Sequence, residues 1–174
     1  MIEPMSLEGY DLLVKEFKYL LEDEKPKVAE EKLIAAALGD RSENADYQAA
    51  KEKLRFIDKR LFYLNKMIQN SKIIDPSLHD HLQVSFGSTV SLINLDTDEE
   101  EVYTLCGVLE SEPENGLISI HSPLAKTLLG KKIGDQFKIK LPKETKEYEI
   151  EDIRYDNIFS LKKNIRTLKD FSFH

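Results

Sequence analysis

Two spacing regimes divide the apolar residues of this chain. Beyond Tyr47 they recur every three or four positions, at Tyr47, Ala50, Leu54, Ile57, Leu61, Leu64 and Ile68. This is a heptad seam over three repeats, and it predicts a helix from about Ser42 to Ser71. Such a helix is on the order of 45 Å long at 1.5 Å per residue. An earlier stripe, Tyr10, Leu13, Phe17, Leu20 and Leu21, predicts a partner helix that Val28, Leu33, Ile34 and Leu38 continue. Glu24 and Glu31 fall near that seam and weaken it. Pro26 lacks an N–H and crowds the carbonyl one turn back, so a kink is expected there. So few residues separate the two segments that they must form an antiparallel hairpin.

The turn lies within Leu38–Lys51, LGDRSENADYQAAK. Gly39 follows a run of helix formers and predicts a helix end, because glycine enters the left-handed region at little steric cost. Asp40 then suits the N-cap of the second helix, and Glu43 three residues later resembles a capping box. Ser42 is a rival cap. On spacing alone, the two carboxylates simply start a helix. Position offers a second reading: a hairpin tip is far from its own core, so acids there face solvent or another molecule. Mg²⁺ is held by one or two carboxylates together with phosphate oxygens and water. Two isolated acids bind it weakly, but within a partner that supplies further oxygens they complete a site and orient a water.

From Asp75, Pro76 and Ser77 the pattern changes. Short strand-like runs follow at Thr89–Leu95, Val102–Val108, Leu117–His121, Gln136–Lys140 and Glu147–Ile153. Ser122 caps a short helix with Pro123 at its first position, and Gly130 ends it. The fold class is therefore α+β: a coiled-coil hairpin (1–75, tip 38–44), a linker (76–82), a small antiparallel-sheet domain with one short helix (83–153) and an extension (154–174). In the extension Ile158, Leu161, Ile165 and Leu168 stand at helical spacing, which predicts a short amphipathic helix.

Charge and composition exclude several classes. The 174 residues carry a formal charge of −7, so bulk attraction to nucleic acid is not expected and any such contact needs a local basic patch. The second helix offers one. Lys51, Arg55 and Lys59 repeat every four residues, Lys53 and Arg60 share another face, and Lys66 follows. That face is either ordinary solvated surface or a track for an RNA backbone. Cys106 is the single cysteine, which excludes an internal disulfide, fits a cytoplasmic protein and suggests a core position within a strand. No apolar run approaches the ~20 residues of a membrane span, and the N-terminus lacks the pattern of a signal peptide. The four histidines are scattered without zinc spacing. Asp96, Asp98 and Glu100 alternate like calcium ligands but lack the EF-hand glycine and closing glutamate, so they read as a solvated acidic turn.

Gly39, Asp40, Glu43, Asn44, Ala45, Asp46, Tyr47, Ala50 and Lys51 resemble the tip motif of the bacterial Gre transcript-cleavage factors, GreA and GreB. Further matching blocks follow in order: Ile73–Asp75, Phe86–Val90, Leu95–Glu100 and Ile118–Gly134, the last with Ser122, Pro123, Leu124, Ala125 and Gly130. The run from Leu54 to Lys66 leans towards GreB, and Asn94–Glu100 towards GreA. The resemblance implies an FKBP-like second domain. It also implies a factor that is not itself an enzyme, acting as a monomer on RNA polymerase, with no membrane partner. Its globular domain would dock through His121, Ser122 and Pro123 at the rim of the secondary channel. Family members usually carry an acidic or amide residue where this chain has His121. Asp40 and Glu43 would help the polymerase hold a catalytic Mg²⁺ and a water, with Ser42 and Asn44 orienting the tip. Lys51, Lys53, Arg55, Lys59 and Arg60 would hold the nascent RNA by its backbone. Two alternatives are a channel-binding regulator that inhibits without cleavage and a structural coiled-coil module.

Overall fold

A computed structural model describes residues 1–162. The chain runs β1 (Glu3–Met5), α1 (Leu7–Tyr19), a π-helical turn (Leu20–Glu24), α2 (Lys25–Ala36), α3 (Ala45–Asn70) and β2 (Ser71–Ile73). It continues with β3 (Ser88–Asn94), β4 (Glu100–Cys106), β5 (Leu117–Ser119), α4 (Pro123–Leu128), β6 (Gln136–Lys140), β7 (Thr145–Tyr155) and α5 (Ile158–Leu161). Two compact units result. One is the hairpin, residues 10–71. The other combines residues 1–9 with residues 72–162.

Within the hairpin, the buried seam of α3 is Ala50, Ile57, Leu61, Leu64 and Met67. Met67 takes the last place expected of Ile68, which is only half-buried. On the facing strand of the hairpin the buried residues are Leu13, Glu16, Leu20, Glu24, Val28 and Ala35. From Glu16 to Val28 they step by four. At 100° per residue, steps of four drift around a straight α-helix. The wider π turn takes up that drift, with Lys25 N–H bonding to Leu20 C=O. It lies immediately before Pro26, which enters α2 in its first turn. A π insertion, rather than a simple kink, thus accommodates the missing donor.

The two acids of this seam are satisfied. Arg60 grips Glu16 with two bonds, 2.6 and 2.9 Å. Glu24 receives the Tyr19 hydroxyl at 3.0 Å and pairs with Lys53 at 3.1 Å. Burial, and then the hydrogen bond to Glu24, push the Tyr19 hydroxyl above its ordinary pKa, so it remains a donor. Glu31, by contrast, is exposed. Leu33, Ile34 and Leu38 also face solvent, so the first-helix stripe does not extend to the tip as its spacing suggested.

The second unit is built on a five-stranded sheet in the order β5-β4-β3-β7-β6. The expectation of a purely antiparallel sheet needs correction, since β5 pairs parallel with β4. The chain between them, residues 107–116, crosses back to the starting end instead of making a tight hairpin. Central β3 is covered on both faces. Val90 and Leu92 join Leu105, Leu128, Ile150 and Ile153 in the main core. Phe86, Cys106, Leu117 and Ile158 form a second cluster.

Three boundaries also differ from those expected. Residues 1–9 belong to this unit, where buried Glu110 accepts from Ser6 N, Ser6 Oγ and Gly107 N. A side chain at Gly9 would collide with that carboxylate. Residues 76–82 are not a free linker: Pro76 is buried, and buried His81 bonds Ser88 Oγ and Pro76 C=O, each at 2.7 Å. Finally, β7 runs on to Tyr155, and buried Ile158 starts the four-residue α5, capped by Asn157. Ile165 and Leu168 lie outside the described residues. No helix among the described residues is long and apolar enough to cross a membrane.

Truncation of fully buried Ile57 to alanine is expected to cost about 2–5 kcal/mol, read as a lowered thermal midpoint of the helical signal. Burial pushes the Cys106 thiol up to about 12. Alkylation at pH 8 should therefore be negligible in the folded protein and become rapid in denaturant. Fast native-state labelling would contradict this placement.

Candidate functional site

Helix α2 ends with Ala37 and Leu38 donating back to Ile34 and Ala35 C=O at 3.2 and 3.1 Å. Gly39 then takes φ +152°. No atom lies within 4 Å of where its Cβ would stand, so the backbone conformation, and not lack of space, calls for glycine. Asp40 does not cap α3, and neither does Ser42. Instead, one Asp40 carboxylate oxygen accepts from Ser42 N–H at 3.0 Å and Ser42 Oγ at 2.9 Å. This is a local turn closed by an aspartate side chain. Glu43 is linked to it through the backbone, its N–H donating to Asp40 C=O at 3.3 Å.

The cap is Asn44. Its Oδ1 accepts from Tyr47 N–H at 3.0 Å, and its Nδ2 donates to Ala35 C=O at 2.6 Å. One side chain therefore starts α3 and ties it to the end of α2. Gln48 Nε2 adds a bond to Arg41 C=O at 2.8 Å. Tyr47 lies beside the seam, with Lys32 Nζ and Arg41 Cζ each 5.7 Å from its ring centre. Because amides and an aromatic ring secure the turn, both carboxylates are released to solvent. Asp40 and Glu43 are exposed, and the Glu43 carboxylate has no partner among the described residues. The bonds from Ser42, the backbone one first, hold the Asp40 carboxyl below its ordinary pKa.

Among the described residues, no three acidic, histidine or cysteine side chains gather closely enough to hold a metal ion. The tip can nevertheless supply hard carboxylate oxygens. Such a donor set fits Mg²⁺ only as part of a larger oxygen shell that includes other carboxylates, phosphates or water.

The five cations expected to track RNA separate into two groups. Lys53 and Arg60 turn inward and neutralise Glu24 and Glu16. Lys51, Arg55 and Lys59 face outward, with no ion-pair partner among the described residues. They line one open groove of about 600 Å³ together with Lys32 of α2, Gln48 and Leu54, and with the acids Glu52 and Asp58. Sequence spacing could not reveal Lys32, which joins this group from the other helix.

In the second unit, Ser122 Oγ accepts from Ala125 N–H at 3.2 Å and caps α4, with Pro123 in its first turn. His121 is bound to Glu3 of β1, with 2.8 Å between Nε2 and Oε2. An acidic group therefore stands beside the loop, contributed by a strand far away in sequence.

Replacement of Ser42 by alanine removes the hydroxyl bond to the Asp40 carboxylate and leaves the backbone one. A carboxyl NMR titration should show the Asp40 pKa moving up, so the charged form is lost at a higher pH than in the unaltered protein. An unchanged titration would mean that the Ser42 hydroxyl does not stabilise the charge.

Comparison with known proteins identifies the family. The N-terminal model described as "Transcription elongation factor, N-terminal" matches residues 3–73. The one described as "Transcription elongation factor, GreA/GreB, C-term" matches residues 79–155. A transcription elongation factor GreA of Nautilia profundicola is 49% identical over 156 residues, covering 90% of this chain and 96% of that protein. One from Helicobacter pylori is 49% identical, covering 90% and 95%. A solved structure of the transcription factor Gfh1 aligns at 21% identity and a TM-score of 0.44, over 88% of this chain and 97% of the other. Both sequence relatives bear the GreA name, towards which Asn94–Glu100 leans. On two family matches that together span both units, the chain belongs to the GreA/GreB family of transcription elongation factors.

Proposed function

We propose that this protein stimulates RNA polymerase to cleave the 3′ end of backtracked RNA, with the hairpin tip acting inside the polymerase secondary channel. The observation that carries this reading is that Asn44, and neither acid, caps α3: among the described residues the Glu43 carboxylate is free, the Asp40 carboxylate bonds only Ser42, and both face outward. A purely structural coiled coil has no need of two solvent-facing acids on a turn this firmly tied. A channel blocker that does not promote cleavage has no need of them either.

In this reading the two units divide the work. The loop of His121, Ser122 and Pro123 docks on the polymerase at the channel rim. Ser122 and Pro123 are fixed there by the start of α4. The hairpin carries the tip to the polymerase active site. A Mg²⁺ ion held chiefly by the polymerase would supply Lewis acidity at the scissile phosphate. Asp40 and Glu43 add oxygens to that site and orient a water towards the scissile phosphorus. Ser42 fixes the Asp40 carboxylate in direction. Asn44 holds the turn at a set position. Lys51, Arg55 and Lys59 attract the strand by its phosphates without reading its sequence. The water oxygen bonds to phosphorus as the P–O3′ bond breaks, a water proton ends on O3′, and the 3′ fragment leaves with a 5′ phosphate, so that synthesis resumes from the new 3′ hydroxyl. The bond-breaking site belongs to the polymerase, so the isolated factor is inert.

Asp40→Ala and Glu43→Ala should each lower RNA cleavage in a stalled, backtracked complex by roughly 10- to 100-fold, the range seen when groups supporting a metal site are removed. Polymerase binding should be retained. Wild-type cleavage by both variants would sink the mechanism.

A further inference from the structure

The outward face of α3 carries an aromatic ring that the hairpin does not use. Phe62 is 75% exposed. No ring or cation packs on it among the described residues, whereas Tyr47 and Tyr63 each have a cation over the ring. At 100° per residue, Lys51, Arg55, Lys59, Phe62 and Lys66 fall within an arc of about 80°, opposite the buried seam. The four cations of that arc have no ion-pair partner among the described residues. Of the two acids on this part of α3, Asp58 is paired with Lys25 at 2.7 Å and Glu52 borders the arc.

The charges narrow the choice of occupant. A second copy packed on this face would set cations against cations. An apolar helix seated on Phe62 would cover lysine and arginine heads without neutralising them. A single nucleic-acid strand satisfies both features at once, its phosphates lying along the cations and a base lying flat on the ring. Such sites bind unpaired strands in a sequence-tolerant way, because every base has a π-face.

We infer that Phe62 is a base-stacking platform for the extruded RNA strand, whose backbone runs along Lys51, Arg55, Lys59 and Lys66. This rests on the function proposed above and adds a residue outside the cleavage chemistry. Phe62 lies 17 residues beyond the start of α3 at Ala45, on the order of 25 Å along the helix at 1.5 Å per residue. Only a strand extruded by several nucleotides reaches it. Phe62 therefore serves deeply backtracked complexes and leaves shallow ones untouched.

The test compares two stalled polymerase complexes at limiting factor. One is backtracked by a nucleotide or two, and the other far enough for the RNA to pass the middle of α3. In the deep complex, Phe62→Leu should lower cleavage about tenfold, within the range for loss of one base–aromatic stack. It should have no effect in the shallow complex. Phe62→Tyr keeps the π-face and should restore activity in the deep complex. A photoreactive base in the extruded RNA should crosslink at position 62 in the unaltered protein. Full activity of Phe62→Leu in the deep complex overturns the inference. Equal losses in both complexes do so too, because they mark a contact with polymerase. If the unaltered protein stimulates neither complex, the cleavage reading itself fails and this inference falls with it.

Discussion

The side chain of Asn44 joins the two helices of the hairpin at the point where the chain reverses. Its carbonyl end takes a free N–H at the start of α3, and its amide end takes a C=O near the end of α2. Helix ends leave such groups unpaired, and each left unpaired away from water is costly. A single amide meets a need at both ends because it offers a donor and an acceptor on separate atoms of one short side chain. An aspartate at this position could accept from α3 but could not donate to α2. The division of labour at the tip follows. The neutral amide joins the two helices, and the carboxylates of Asp40 and Glu43 just before it remain outside.

Below the tip, electrostatics set the alignment of the two helices. Glu16 and Glu24 are buried among apolar residues, a costly arrangement unless each meets a cation. Arg60 and Lys53 meet them across the seam. Any slip of one helix past the other would strand both carboxylates, so the two pairs disfavour alternative registers. The same pairs sort the positive charge of α3. The inward cations neutralise the seam, and the outward ones keep their charge. A protein of formal charge −7 thereby presents a cationic stripe along one side of a single helix.

The second unit depends on a related device. Buried Glu110 is matched by Ser6 and Gly107, which fasten the first nine residues to the sheet domain. This brings Glu3 to His121, beside the loop that starts α4. An acidic group thus reaches that place through space from β1.

Much of this was legible in the residue order. Heptad spacing marked α3 and its seam, Gly39 marked the turn, alternation marked the five strands, and Ser122 with Pro123 marked the start of α4. These signals are local, because a helix or strand repeats its side-chain directions within a few residues. Asp40, Glu43 and Asn44 were recognisable as a group through the family motif, but not which of them would cap. That choice belonged to the tertiary structure, because the winning cap also had to reach a carbonyl on the opposite helix. Lys53 and Arg60 looked like surface cations until the facing helix supplied Glu24 and Glu16. The parallel placement of β5, the burial of His81 and the attachment of residues 1–9 likewise depend on partners distant in sequence. The sequence by itself determined the elements and the kinds of group at the tip. The packing of distant segments decided which polar groups were consumed inside the fold and which were left facing outward.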